Sequence, residues 1–518
     1  MSVWDKIDSI LESCKNTPDN KPVHPTTQKN SNEIKIYITR DGTYIKTTNL
    51  SFETIKKIKN YYTIRDQTIM GYEKKTTCYR HEDEKLFIPR FGALLLKNKF
   101  SDVQFSNKIK RTNPVEMKYA GEEPTCIQQL IIDELFNRWF DESSVTEGRA
   151  GAIINLQAGL GKTYLSLNLI GILQCRTLIV VHNRTILKQW KDLLDKKFPD
   201  NKIACYYGEK KAFGDIVVGV INSLVMPAID GFENVKDFYN KFDFVIFDES
   251  HEYCAPGRSK IFEVCQSPYM LGLSATPNDR PDNLDKIPRW NIGAILQADK
   301  LEGYSTESVP FKGNVIQVRY NGPKKFTRAI ISKKLETICV PKMIEQFTQD
   351  KQRTKLVADL TMEFHKKNYN IFVFADRRNY LLEINELLKG IHLEGQLLTD
   401  ESELDTLQSI RLVGGSKGEE MDLAKKSKRI ILTTYQYMST GCSIPKMNCI
   451  ILATPRRRGS RQTINRIFRL GSDYSIVRQI VDIVDWKTSL KNQWYERNEY
   501  YKSQGFTYET RIIKAEEV

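Results

Sequence analysis

Four residues suited to phosphate binding stand close together: Gly159, Gly161, Lys162 and Thr163. They follow an apolar run and precede a helical pattern, which is the context that a phosphate-binding loop requires. Glycine lets the backbone turn its N–H groups toward phosphate oxygens, and the helix N-terminus adds a partial positive charge. A plain glycine turn is the alternative, because Leu156 stands where the strict pattern has its first glycine. The loop residues expected to contact a nucleotide are Ala158, Gly159, Leu160, Gly161, Lys162 and Thr163.

An acidic turn supplies the second set of candidates. The apolar run FDFVIF is followed by DESH, which contains Asp248, Glu249 and His251. A carboxylate at the C-terminal end of a strand lies where α/β sheets bind ligands. Together with the loop, the turn predicts ATP hydrolysis: Lys162 would reach the β- and γ-phosphates, and Thr163 and Asp248 would hold Mg²⁺. Glu249 would orient and deprotonate the attacking water, and His251 would relay the nucleotide state. An ordinary acidic turn at a strand end is the alternative.

Apolar runs that alternate with helical sequence must position these candidates. The runs GAIINLQ, TLIVVH, DIVVGVI and FDFVIFDE are rich in Val and Ile, and each is followed by polar or helical sequence. The pattern fades between residues 280 and 350 and restarts with YNIFVFAD, RIILTTY, CIILAT and IVDIVD. Short buried strands between helices predict parallel sheets. We expect an α/β fold with two parallel-sheet domains in tandem, at 116–320 and 321–518, after a small α+β domain at 1–115.

Composition narrows the class of protein. The 518 residues carry 78 Lys and Arg against 64 Asp and Glu, a net charge of +14, which fits a phosphate-backbone partner or simply a solvated surface. No apolar run reaches the length of about 18 that predicts a membrane span, and the N-terminus lacks a signal-peptide core. We therefore expect a cytoplasmic or nuclear location, or the host cytoplasm and virion if the protein is viral. The ten cysteines form no CxxC pair, which predicts reduced thiols and no zinc site.

The first 115 residues differ in character from the rest of the chain. Residues 15–34 are polar and Pro-rich, which predicts a flexible loop or linker. The run IKIYIT predicts a short strand, and a lysine-rich stretch with many aromatic residues follows it. Basic residues interleaved with tyrosines are typical of a platform for nucleic acid. A small α+β domain with ordinary surface lysines is the interpretation that we prefer.

The order of these motifs resembles that of superfamily 2 helicases, specifically the DExH group near the XPB-type and phage recombination helicases. The chain looks most like the poxvirus-type transcript-release helicase found in large double-stranded DNA viruses. The resemblance covers residues 116–485, and LFIPRFG before this stretch is similar as well. It implies two RecA-like domains, with ATP and Mg²⁺ as cofactors bound in the cleft between them.

Within the first unit the resemblance implies further roles. Gln128 in PTCIQ is similar to the adenine-reading glutamine that precedes the phosphate loop, and a helix-start glutamine is the alternative. The segments VVHNRTILKQW and DIVVGVINSL resemble those that contact the nucleic-acid backbone. LGLSATP resembles the motif that couples hydrolysis to movement, with Ser274 and Thr276 bridging the DESH turn to the second domain.

In the second unit the resemblance rests on three segments. NIFVFADRRNY resembles the strand and turn that open the second domain, and TTYQYMSTGCSIPKMNCIILATP resembles motif V, with Gly441 at its turn. RQTINRIFRLG supplies Gln462, Arg466 and Arg469, with Asn465 where relatives have glycine. Residues three apart lie on one helix face, so we expect both arginines to reach the γ-phosphate across the cleft. An ordinary basic helix is the alternative.

These motifs together predict a nucleic-acid-dependent ATPase that moves along DNA, single-stranded or duplex, or along an RNA–DNA hybrid. The resemblance implies transcript release at a transcription complex, or DNA repair and recombination. Contacts to phosphates and sugars predict low sequence specificity. Two alternatives stay open: a remodeller of nucleoprotein complexes that does not unwind duplexes, and a non-catalytic nucleic-acid-binding scaffold. LGLSATP and the Q-x3-R-x2-R spacing disfavour another P-loop class such as a kinase.

Overall fold

The computed structural model describes residues 33–516 with internal gaps. The gaps are 49, 67–73, 158, 227–234, 278–279, 281, 306–310, 333–336, 400–407, 417, 440–443, 457–459, 469–472 and 474. The side chains of 394–399, 418 and 439 are also outside the description. The described strands form sheets of five, eight and seven strands and one two-stranded hairpin. The predicted linker at 15–34 lies almost wholly outside the described residues.

The N-terminal unit is a small α+β structure. Its elements are β1 (Ile34–Thr39), β2 (Gly42–Lys46), α1 (Phe52–Tyr61), β3 (Thr63–Asp66), β4 (Lys74–Thr77), β5 (Arg80–Glu82), β6 (Lys85–Phe87), α2 (Arg90–Leu94) and β7 (Val103–Asn107). The five-stranded sheet has the order β5-β6-β2-β1-β7, with β7 parallel to β1 and the other pairs antiparallel. Strands β3 and β4 form the separate hairpin.

The first parallel sheet has the order β11-β10-β12-β9-β13-β14-β8-β15, and only the short β11 runs antiparallel among the described strands. Its strands are β8 (Gly151–Asn155), β9 (Thr177–Val181), β10 (Ile203–Tyr207), β11 (Lys210–Lys211), β12 (Ile216–Val220), β13 (Phe244–Phe247), β14 (Tyr269–Ser274) and β15 (Ala294–Gln297). Its helices are α3 (Cys126–Arg138), α4 (Glu142–Thr146), α5 (Lys162–Leu173), α6 (Arg184–Lys197), α7 (Ile221–Leu224), α8 (Val235–Tyr239), α9 (Pro256–Ser259), α10 (Ile261–Val264) and α11 (Lys286–Asn291). Strands such as TLIVV are buried throughout, because helices cover both faces of the sheet.

The second parallel sheet has the order β18-β19-β17-β20-β21-β16-β22. Its strands are β16 (Gly313–Asn321), β17 (Ile371–Ala375), β18 (Ser409–Leu412), β19 (Ile430–Thr434), β20 (Cys449–Leu452), β21 (Arg478–Asp485) and β22 (Thr507–Lys514). Its helices are α12 (Lys324–Thr327), α13 (Val340–Thr348), α14 (Lys351–Lys366), α15 (Arg378–Thr399), α16 (Gly418–Lys426), α17 (Tyr435–Ser439), α18 (Ser460–Ile464) and α19 (Asn492–Ser503). The predicted α/β class with two parallel sheets in tandem is confirmed.

One boundary needs correction. Strand β16 pairs with β21 and β22, so residues 313–321 belong to the second sheet. The boundary predicted at 320/321 therefore falls inside a strand rather than between units. The apolar pattern of this strand was missed because it lies in the stretch where the alternation of strands and helices fades.

The N-terminal sheet shares one hydrophobic core with the first parallel sheet. Ile36 and Ile38 belong to the same buried cluster as Leu178 and Val245. The fully buried guanidinium of Arg90 donates hydrogen bonds to the carbonyl oxygens of Gly148, Ser267 and Pro268 at 2.7, 2.5 and 3.3 Å. A second cross-connection joins Arg40 to the Phe242 carbonyl oxygen at 2.7 Å and to the Asp243 carboxylate. The two units are therefore packed together rather than joined only by chain.

Candidate nucleotide site

Three neighbouring strands of the first sheet bring the predicted residues together. Strand β14 lies between β8 and β13, and all three run parallel. The C-terminal ends of parallel strands meet at one edge of a sheet, which is where α/β proteins bind ligands. The phosphate loop follows β8 and the DESH turn follows β13. The SAT segment begins at Ser274, the last residue of β14. Gln128 reaches the same edge from α3.

The loop after β8 has the backbone that a phosphate-binding turn needs. Gly159 and Gly161 have φ angles of 92° and 80°, in the left-handed region where a side chain is strained. Gly161 is the N-cap of α5, so Lys162 and Thr163 begin a 12-residue helix whose first N–H groups have no acceptor within the helix itself. The Lys162 ammonium donates a hydrogen bond to the Leu156 carbonyl oxygen at 2.9 Å, and Leu160 is buried. Ala158 lies outside the described residues.

Gln128 is bound to the loop itself. Its amide oxygen accepts from the Thr125 N–H at 2.9 Å, and its amide nitrogen donates to the Gly161 carbonyl oxygen at 3.2 Å. The side chain of Thr125 accepts in turn from the Gln128 N–H, which completes a capping box at the start of α3. The residue therefore fixes the position of the phosphate loop. Its adenine-reading role stays a prediction.

Asp248 follows β13 directly, and its side chain is half-buried. The indole Nε1 of Trp190, on α6, donates a hydrogen bond to its Oδ2 at 2.8 Å. Burial, with the neighbouring charge of Glu249 second, raises the pKa of Asp248 to about 6, and Lys162 opposes this shift. Sequence reasoning missed Trp190, although it stands in the quoted segment VVHNRTILKQW. Its only signal was an indole N–H on a helix that precedes the acidic strand.

The residues around the loop suit a magnesium ion in their chemistry. The Thr163 hydroxyl and the Asp248 carboxylate are hard oxygen donors of the kind that Mg²⁺ takes together with phosphate oxygens. Asp248 is half-buried at the strand end, and the nearby Lys162 ammonium lowers its pKa against the larger opposite effect of burial. Within the described part of the chain, this site included, no group of three His, Cys, Asp or Glu side chains could hold a metal ion.

A hydrogen-bonded relay leaves the acidic turn and reaches the second sheet. His251 Nδ1 lies 3.0 Å from Ser274 Oγ, which also accepts from the Thr276 N–H at 3.1 Å. His251 Nε2 lies 3.0 Å from the amide nitrogen of Gln462. An amide nitrogen donates, so Nε2 accepts and Nδ1 carries the proton toward Ser274. The relay brings together the three predicted coupling residues and Gln462, a predicted site residue of the second unit. Glu249 Oε2 lies 3.4 Å from His251 Nδ1.

The helix that contains Gln462 is short in the structure. Helix α18 ends at Ile464, and a 3₁₀ turn at Asn465–Ile467 holds the buried Arg466. Phe468 then leaves the helical region, with φ −110° and ψ 70°. The helical backbone is therefore interrupted at Phe468, before the position of Arg469. Arg469 and Gly441 lie outside the described residues, and their roles stay predictions.

Tertiary packing explains the end of this helix. The Phe468 ring stacks on Phe506, with centres 5.1 Å apart and planes 7° apart, and meets the edge of Phe311. The amide oxygen of Asn465, where the resemblance implied glycine, accepts a hydrogen bond from the Tyr500 hydroxyl. A glycine could not make this bond. The asparagine therefore anchors the turn to α19.

No helix in the described part of the chain is both long and apolar enough to cross a bilayer.

Residues 122–279 match the family model described as "Type III restriction enzyme, res subunit". This stretch contains the phosphate loop, the DESH turn and the SAT segment. Two parallel sheets in tandem, the first of which carries these three motifs, define the class of protein as an ATP-dependent helicase.

Relatives narrow the class further. A protein of African swine fever virus, named as a "Putative ATP-dependent RNA helicase", is 31% identical over 458 residues, which cover 84% of this chain and 83% of that protein. A protein of Acanthamoeba polyphaga mimivirus with the same descriptive name is 26% identical over 502 residues, or 93% of this chain and 88% of that protein. The "DNA 3'-5' translocase XPB2" of Sulfurisphaera tokodaii is 26% identical over 235 residues, or 42% of this chain and 52% of that protein. The chain belongs to the family of ATP-dependent helicases that includes the African swine fever virus protein.

Proposed function

We propose that this protein uses ATP hydrolysis in the cleft between its two parallel sheets to move along DNA or an RNA–DNA hybrid. The observation that carries the proposal is the contact between His251 and Gln462 at 3.0 Å. It joins the acidic turn of the first sheet to a polar helix of the second. A change in the acidic turn during hydrolysis would thus alter the relation between the two sheets, and movement requires such a change.

Each unit supplies a different part of the reaction. The loop backbone and Lys162 would hold the phosphates of ATP, and Glu249 would orient the attacking water. When bound, Mg²⁺ supplies positive charge to the phosphate oxygens, and Thr163 and Asp248 would hold it. Arg466 from the second unit, with Arg469, would offset charge on the transferred phosphate. Neither unit alone holds the complete set, so closure of the cleft would control hydrolysis.

The track and the setting are the finer part of the proposal. The relatives' names point in two directions, since the viral ones specify an RNA helicase and the archaeal one a DNA translocase. The net charge of +14 suits any polynucleotide. We propose DNA or the hybrid, with release of transcripts from a viral transcription complex as the first setting and DNA repair as the second. The host cytoplasm and the virion are the proposed locations.

The first test is ATP hydrolysis by the full chain alone and with single-stranded DNA, duplex DNA, RNA or RNA–DNA hybrid. We expect DNA or the hybrid to give the largest stimulation, and Lys162→Ala to abolish turnover with each. Stimulation of ATP hydrolysis by RNA alone would contradict the proposed DNA or hybrid track. A hydrolysis rate that no polynucleotide changes would contradict the proposal that the protein moves along nucleic acid. A strand-separation assay beside a protein-displacement assay then separates unwinding from remodelling.

A further inference from the structure

The outer face of the N-terminal sheet carries side chains that contribute little to the hydrophobic core. Residues alternate along β1, so Ile34, Ile36 and Ile38 are buried, whereas Lys35 is exposed and Tyr37 is only half-buried. Strands β2 and β6 alternate in the same way. The inner face packs on the first parallel sheet. The outer face therefore needs a separate explanation.

Three aromatic rings form a row across this outer face. Tyr37 lies opposite Tyr44, and Tyr44 lies opposite Phe87 in the strand register. The first two ring centres are 5.1 Å apart with planes 15° apart, and the second pair are 5.6 Å apart. The three rings are half-buried, and the core beneath the sheet is built without them. Each ring keeps part of its surface exposed on the outer face, so the row offers aromatic surface to a further planar group.

A row of three lysines runs beside the rings. Lys46 lies opposite Lys85, and Lys35 falls opposite Lys46 because the next pair in register is Ile36 with Ile45. All three lysines are exposed. Their ammonium groups lie 4.9 to 5.9 Å from ring centres in the row, and none forms an ion pair within the described part of the chain. Like charges directly opposite destabilise a sheet, and the contacts between the ammonium groups and the rings offset only part of this repulsion, so the row would gain from an anionic partner.

Arg80 lies at the end of the row of rings and connects it to the first parallel-sheet unit. The Arg80 guanidinium lies 4.7 Å from the centre of the Phe87 ring. One of its terminal nitrogens also pairs with Glu263, on α10 of the first parallel-sheet unit, at 3.0 Å. The outer face is therefore held at a fixed place beside the first parallel-sheet unit.

We propose that this face, the N-terminal platform, binds single-stranded nucleic acid. It consists of Lys35, Tyr37, Tyr44, Lys46, Lys85 and Phe87. Unpaired bases stack on the rings, and the lysine row neutralises neighbouring phosphates. The bases of a duplex are stacked on one another and cannot stack on the rings. A duplex can therefore contact only the lysines, and we expect it to bind the platform more weakly than a single strand does. The platform adds a second contact to the proposed function and does not depend on ATP hydrolysis.

The first test measures the affinity of the full chain for a fluorescent oligothymidylate without nucleotide, with RNA and duplex DNA of equal length alongside. Tyr37→Ala with Tyr44→Ala should weaken binding of the single strand at least about fivefold, since stacking contributes about 1–3 kcal/mol per base. The matched Tyr→Phe pair should restore it. ATP hydrolysis without polynucleotide should stay at the parent rate in all these variants.

The second test isolates the lysine row. Lys46→Gln with Lys85→Gln should lower the slope of log affinity against log salt by about 1.4, because each phosphate contact on a single strand contributes about 0.7. Lys56→Gln with Lys57→Gln, at exposed positions on α1, makes the same charge change and should leave the slope unchanged.

Ultraviolet cross-linking of the parent protein to bromouracil-substituted strands gives a readout that does not depend on variants folding. We expect cross-links at Tyr37, Tyr44 or Phe87, also in Lys162→Ala, where hydrolysis is lost. Cross-links confined to the two parallel-sheet units, unchanged affinity in the tyrosine pair, or a loss of duplex affinity in that pair as large as its loss of single-strand affinity would each overturn the platform. Cross-links at the rings without any stimulated hydrolysis would contradict only the proposed motor.

Discussion

The contact between His251 and Gln462 offers the sharpest test of communication between the two sheets. Its nitrogen atoms lie 3.0 Å apart, and the His251 side chain is 16% exposed. A neutral hydrogen bond of this kind contributes about 0.5–1.5 kcal/mol net, which corresponds to about a 2- to 13-fold change in an equilibrium. Gln462→Ala should therefore lower kcat/KM for ATP by about that factor when polynucleotide is saturating, because the closed cleft is less populated.

A double-mutant cycle isolates the pair. His251→Ala should cost more than Gln462→Ala, since it also removes the contact to Ser274. The double variant should then cost about 0.5–1.5 kcal/mol less than the sum of the single variants. Gln349→Ala, an exposed glutamine of the second unit, is the control and should add to His251→Ala without coupling. A coupling energy of zero for the first pair would refute the relay as a link between the sheets.

Four further outcomes follow from the site and the fold. Lys162→Ala should abolish hydrolysis by removing the charge that contacts the phosphates, as measured by phosphate release. Glu249→Gln should keep ATP binding but stop hydrolysis, because the amide is isosteric but cannot take a proton; calorimetry beside phosphate release checks this. Thr276→Ala should keep most ATP hydrolysis while strand separation or displacement falls. Arg90→Ala should lower the free energy of unfolding by about 3 kcal/mol, because three buried carbonyl groups lose their donor; urea unfolding measures it.

Each of these outcomes has a contrary result. Normal turnover in the Lys162 variant would contradict the phosphate loop, and loss of ATP binding in the Glu249 variant would make that residue structural. Equal loss of hydrolysis and strand separation in the Thr276 variant would contradict a coupling role. Arg328→Ala removes an exposed arginine and is the control for Arg90; equal stability loss in both would show that burial is not the cause.

Sequence predicts those parts of the site whose structure depends on residues adjacent along the chain. A glycine pair before Lys162 specifies a left-handed turn at the start of a helix, wherever that helix later packs. The apolar run before Asp248 likewise specifies a buried strand with a carboxylate at its end. Trp190 escaped prediction because its partner is 58 residues away, and only the order of the strands places α6 beside β13.

The end of the helix after Gln462 is determined by residues that are distant along the chain, so the local sequence does not predict it. The spacing of Arg466 and Arg469 is helical, and nothing in the local sequence forbids a longer helix. Phe468 leaves the helical region where it stacks on Phe506, a residue from a distant part of the chain. Such a packing contact exceeds the small local preference of one residue for helix. The strand β16 was missed for a related reason, since its partners β21 and β22 come late in the sequence.

The core shared between the N-terminal sheet and the first parallel sheet limits how this chain can be divided. A fragment that starts at residue 116, the predicted boundary, would lack Ile36 and Ile38 and leave Leu178 and Val245 without their cover. It would also lose the Arg90 and Arg40 connections. An apolar patch of that kind favours self-association, so a shortened ATPase unit is expected to express poorly. Insertions and deletions in this family should therefore be tolerated more readily between the two parallel sheets than at the N-terminal junction.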